Sequence, residues 1–141
     1  MNSFFDQIFE EARNDLHIDF PSPQILVVSG PVSSPARFPC TSIIEMSNTP
    51  HQRTFDTAGV EHHSRVMIQV EAFSNTSPTP QRPVTAMMEV RQIIQVIDPI
   101  MMKYKFVRTF CQPIPNFDST VARMLARYEV VFGRNGHTYR N

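Results

Sequence analysis

The chain has 141 residues, 41% of them hydrophobic, with eleven phenylalanines, no tryptophan, and thirteen basic residues balanced by thirteen acidic ones. That length is one domain's worth and suffices to bury about two-thirds of the unfolded surface, so a core can form without disulfide or metal staples. A net charge of zero excludes a bulk electrostatic pull toward nucleic acid or an anionic membrane.

In the opening segment Phe5, Ile8, Phe9, Ala12 and Leu16 recur at helical spacing, with Asp6, Glu10, Glu11, Arg13 and Asn14 on the other face. This predicts an amphipathic helix over residues 2–16, with Ser3 placed to cap it. Residues 21–39 form a proline-rich arm around one β-branched run, Ile25–Val28. Proline fixes φ and donates nothing to a ladder, so the arm reads as extended loop with one short strand at a sheet edge. "CTSIIEMSN" predicts a strand from Cys40 to Met46, and "NTPHQRTFDTAG" a projecting polar loop. In "GVEHHSRVMIQVEAFSN", Val66, Ile68, Val70 and Ala72 fall on one face and Arg65, Gln69 and Glu71 on the other, the period of a strand with one buried side.

From Pro80 helical spacing returns through Val84, Met87, Met88, Arg91, Ile94 and Ile97, with Ser77 or Thr79 as the cap. Pro99 is expected to end or kink this helix, and Asp98–Pro99 to cap a short second one over "PIMMKYK". Phe106 to Gln112 reads as a strand. In "DSTVARMLARYEVVFG" a helix over "STVARMLARY" is one reading, but the alternation of Met124, Ala126, Tyr128, Val130 and Phe132 with Arg123, Arg127, Glu129 and Val131 favours a strand. The whole predicts a single α+β domain over 1–141: a mostly antiparallel sheet flanked by an N-terminal and a central helix, with the core in 40–133 and a tail at 134–141.

No segment approaches the roughly 20 apolar residues of a membrane span. The first residues lack the basic and apolar regions of a signal peptide, so the chain reads as a soluble protein of a reducing cytoplasm. Cys40 and Cys111 belong to no C-x-x-C, and neither zinc, a redox pair nor a disulfide between them is expected. His62 and His63 are neighbours and would point to opposite faces of a strand, so they cannot share a metal. No nucleophile elbow or glycine-rich phosphate loop occurs, and Arg123 and Arg127, on one strand face, read as cross-strand partners of acids or as a grip on a partner. Catalytic, metal and cofactor residues are therefore all assigned as none. Phe55 in the loop, and Met67 and Phe73 opposite the buried stripe, are instead apolar groups of the kind that contact another subunit.

The succession "FPCTSIIEMSNTPHQRTFDTAGVEHHSRVMIQVEAFSN", a helix, "FVRTFCQPIPN" and "DSTVARMLARYEVVF", from Phe38 to Phe132, resembles the tail terminator (tail completion) proteins of long-tailed bacteriophages. It carries that family's strand ending in E-x-x-N, loop, alternating strand, helix and paired strands, the last with an R-Y-x-x-x pattern. It departs in the proline-dense 21–39 and at Pro99, where the family's helix runs on. The resemblance implies a virion structural protein at the head-proximal end of the tail, assembled in the host cytoplasm and with no enzymatic activity. It would form a hexameric ring with itself, cap the tail tube protein, end its polymerisation and dock to the head–tail connector or stopper, while DNA passes the lumen without specific binding and no membrane is involved. By analogy Arg53, Phe55, Arg65, Met67, Phe73, Arg123 and Arg127 are the interface candidates, with the loop facing the tail tube. The alternatives are another neck protein, such as a head completion or stopper protein, and a small ferredoxin-like binding module or enzyme.

Overall fold

The computed structural model of the chain describes residues 4–21, 24–50, 63–116, 118–133 and 138–139. In chain order come helix α1 (Phe4–Asp19), strands β1 (Leu26–Val28), β2 (Cys40–Pro50) and β3 (His63–Ser74), helix α2 (Ala86–Lys103), and strands β4 (Val107–Pro113), β5 (Ala122–Gly133) and β6 (Thr138–Tyr139). The sheet order is β1-β2-β3-β5-β4, with β6 also pairing β5. Only β1 and β2 pair in parallel, so the class is α+β with a mostly antiparallel sheet. Since β3 and β4 both run antiparallel to β5, they are parallel to each other, and α2 is the crossover between them.

The core lies between the helices and one sheet face. Helix α1 buries Ile8, Ala12 and Leu16, four residues apart and so on one stripe, and runs three residues past the predicted end at Leu16. The sheet supplies Ile43 from β2, Val66, Ile68, Val70 and Ala72 from β3, and Met124, Ala126, Tyr128 and Val130 from β5. The alternation read in "RVMIQVEA" thus marks the inner stripe. The last long element is a strand, pairing β3 continuously from Ser74–Ala122 to His63–Gly133. Strand β2 runs to Pro50, past its predicted end at Met46, because a bulge between Glu45 and Ser47 lets it stay in register with the long β3.

Helix α2 departs most from expectation. It starts at Ala86, not near Pro80, and its cap is Thr85, whose side chain accepts from the Met88 N–H at 3.1 Å. Thr79 instead closes a turn, accepting from the Arg82 N–H at 3.0 Å. Pro99 neither ends the helix nor starts a second one. It forfeits one backbone hydrogen bond, but Ile97, Ile100 and Met101 on either side of it are all buried. Each fully buried apolar side chain stabilises by about 1.5–3 kcal/mol, which outweighs the local penalty. The helix ends instead at a left-handed Lys105 (φ 72°), where Lys105 N–H bonds Met102 O at 3.0 Å and Phe106 N–H bonds Met101 O at 2.9 Å.

Candidate partner-binding face

The sheet's other face carries five of the seven residues the sequence nominates for contact. Alternation along β3 and β5 puts Arg65, Met67, Gln69, Glu71 and Phe73 opposite Val131, Glu129, Arg127, Leu125 and Arg123. Arg123 faces Phe73 directly, with its guanidinium carbon 5.3 Å from the ring centroid, and reaches diagonally to Glu71, donating from Nε to Oε2 at 2.6 Å. Its Nη2 contacts the same carboxylate oxygen. Gln69 Nε2 lies 3.4 Å from the other oxygen of Glu71, while Gln69 Oε1 accepts from Arg127 Nε at 3.0 Å. Arg127 in turn stacks its guanidinium 5.6 Å from the Phe110 ring on β4. The result is a ladder across three strands, Phe73–Arg123–Glu71–Gln69–Arg127–Phe110.

Around Phe73, Glu71 and Gln69 this face is sheltered from water. Phe73 is fully buried, and Glu71 and Gln69 retain only 6% and 8% of their accessible surface. Phe73 is therefore no exposed apolar group: Arg123 covers it. The proline arm also reaches this face, since Ser42 Oγ donates to Gly30 O at 2.6 Å. Arg123 and Arg127 belong to the cross-strand network rather than standing free. Of the nominated residues, Arg65 stays exposed and Met67 half-buried; Arg53 and Phe55 lie outside the described residues, as does the rest of the predicted loop from 51 to 59. Arg65 Nε lies 3.4 Å from Glu129 Oε1 without hydrogen-bond geometry, which leaves that buried oxygen an orphan acceptor.

Three further clusters join elements distant in sequence. Glu89, 2% exposed in the first turn of α2, accepts from Ser74 Oγ and from Arg82 Nη2, each at 2.6 Å. Its position four before Ile93 and eight before Ile97 put it on the buried stripe, a signal the sequence held. Asp98 accepts from the Tyr128 hydroxyl at 2.5 Å and from Arg108 Nη1 at 2.8 Å, so it joins helix to sheet instead of capping a new helix. Burial, then that bond to Asp98, push the Tyr128 hydroxyl well above the ordinary phenol range. Glu11 on α1 accepts from Lys103 Nζ at 2.9 Å and from the Tyr104 hydroxyl at 2.9 Å, clamping the two helices; the Lys103 hydrogen bond holds the Glu11 carboxyl below its usual value.

Among the described residues no group of three or more His, Cys, Asp or Glu side chains is disposed to hold a metal ion. No described helix is long and apolar enough to cross a membrane. Both cysteines are free. Cys40 sits on the outer face of β2 and Cys111 on the inner face of β4, with β3 and β5 between them, about 14 Å of sheet, too far for a disulfide. Burial pushes the Cys40 thiol up to about 11, whereas Cys111 is half-buried. One thiol is therefore expected to react with N-ethylmaleimide at neutral pH in the folded protein, and both in urea, as counted by intact mass.

No protein-family model matches the chain, and no curated protein matches it either.

Proposed function

We propose that the chain is the tail terminator subunit of a long-tailed bacteriophage, a structural protein that closes into a ring, caps the tail tube, ends its polymerisation and docks to the head connector. One observation carries the reading. The segment of resemblance, Phe38 to Phe132, takes in β2, β3, α2, β4 and nearly all of β5, in the order that the family pattern requires. Helix α2 passes through Pro99 unbroken, which removes one of the two departures from that pattern.

Physical requirements agree with it. A head-to-tail ring needs two different contact surfaces on each subunit. Among the described residues, large exposed apolar side chains occur at more than one place: Met46 at the β2 bulge, Ile18 near the end of α1, and Met88 and Met102 at the two ends of α2. Zero net charge suits a lumen through which DNA must slide, since clustered cations would hold its phosphates. Deleting the gene from its phage and imaging lysates in negative stain tests the proposal. Overlong tails or polytubes beside filled heads are expected. Heads that leak DNA would identify a stopper or head completion protein instead, and normal virions would end the reading.

A further inference from the structure

Helix α2 packs mainly on β3 and β5 and touches β4 only lightly, so the sheet is wider than its helical cover. The uncovered inner side of β4 presents Arg108, Cys111 and Pro113, and opposite it α2 presents Arg91, Ile94, Gln95 and Asp98, spaced to share one helical face. Between them opens a cavity of about 270 Å³ floored by Ile94 and Met124. A second lobe of about 300 Å³ continues past Asp98 and Arg108 toward Met102 and Phe106. The Arg108–Asp98 ion pair stands where the two lobes meet.

The charge in this cleft is unbalanced. Both Asp98 oxygens are occupied, by Tyr128 and by the Nη1 end of Arg108, so the carboxylate and the neighbouring Tyr128 hydroxyl orient that guanidinium, whose five N–H donors outnumber these two partners. Arg91 is exposed and has no side-chain partner among the described residues. The cleft thus offers two guanidiniums against one satisfied carboxylate, over an apolar floor.

We propose that the α2–β4 cleft is a docking site for an acidic, extended peptide segment of a partner protein, whose carboxylates meet Arg91 and Arg108 while its apolar side chains enter the two lobes. Charge complementarity selects the occupant. A small metabolite is disfavoured because the cleft is open along its length, whereas such ligands are normally enclosed. A phosphate backbone is disfavoured because Asp98 stands among the guanidiniums and half the lining is apolar. The proposal does not depend on the tail terminator reading.

Cys111 lies inside the cleft and serves as its reporter, because Cys40 is buried. The probe is an end-blocked five-residue peptide alternating leucine and glutamate, with a leucine–glutamine peptide as control. At millimolar concentration the acidic peptide is expected to slow alkylation of Cys111 by N-ethylmaleimide at least about fivefold, and the neutral peptide less than about twofold, the difference set by charge-assisted hydrogen bonds. Arg91→Gln, at an exposed unpaired position, should leave the fold intact by circular dichroism and bring protection below about twofold. Equal protection by both peptides, no protection by either, or full protection in Arg91→Gln would overturn the proposal. So would equal protection by free glutarate, which would mark a small-carboxylate site, or stronger protection by a thymidine oligonucleotide at the same ionic strength, which would mark a nucleic-acid site.

Discussion

Replacing Arg123 by alanine is expected to lower the unfolding free energy by about 2–3 kcal/mol, read as a drop in the urea midpoint without a change in its slope. Arg123 is the cation that neutralises Glu71, whose side chain is only 8% exposed, and it also roofs the Phe73 ring. Its loss leaves the carboxylate with Gln69 at 3.4 Å as its one remaining side-chain donor among the described residues and opens Phe73 to water. A fully buried pair broken on one side costs about 3–5 kcal/mol; Arg123 is 27% exposed, so water recovers part of that. Removing both charges together, as Glu71→Leu with Arg123→Met, should return stability to within about 1 kcal/mol of the parent, because neither member is then left desolvated and alone. A single Arg123→Ala variant within about 0.5 kcal/mol of the parent would show that the pair contributes no more than an ordinary surface ion pair.

The size of that effect bears on function. An Arg123 variant that fails to assemble would say little about a partner, because its own fold is weakened. Arg65 is the better reporter of docking on this face. It is exposed, and its closest acid, Glu129, receives no hydrogen bond from it.

What was legible in the sequence follows a physical divide between local and non-local interactions. Strand β3 could be read with its inner stripe because alternation is a property of consecutive residues, and Val66, Ile68, Val70 and Ala72 are all buried. Alternation also assigned Phe73 to the outer face. It could not say that Arg123, fifty positions on, would lie over the ring, since that depends on the β3–β5 register. The same holds for Asp98 and Tyr128, which meet only after α2 crosses the sheet. At Pro99 a sound local rule was overridden by tertiary burial of Ile97, Ile100 and Met101. Glu89 is a different kind of miss. Its periodicity placed it inside, and only its charge argued for outside; Ser74 and Arg82 resolve that conflict from beyond the helix.

Alkaline pH should destabilise the protein in two separable steps. Burial raises the Cys40 thiol to about 11, and burial together with the Asp98 carboxylate raises the Tyr128 hydroxyl above the ordinary phenol range. In the unfolded chain these groups release their protons near 8.5 and 10. For a group raised on folding, stability is fully present below the unfolded value. Above it the unfolded state has lost a proton that the folded state still holds, so stability falls by about 1.4 kcal/mol per pH unit per group until the folded value is passed. Cys40 should begin the decline near pH 9 and Tyr128 should steepen it beyond pH 10. Tyr128→Phe removes the second step while adding a pH-independent cost of about 1–2 kcal/mol, because Asp98 Oδ1 loses its donor. Tyr104, half-buried and shifted the same way, remains in that variant, so some slope persists. Urea titrations at half-unit steps from pH 8 to 11 separate the contributions. If Tyr128→Phe kept the parent's full slope above pH 10, its hydroxyl would have to ionise as readily in the fold as in the open chain, which is incompatible with a phenol sealed in the core against a carboxylate.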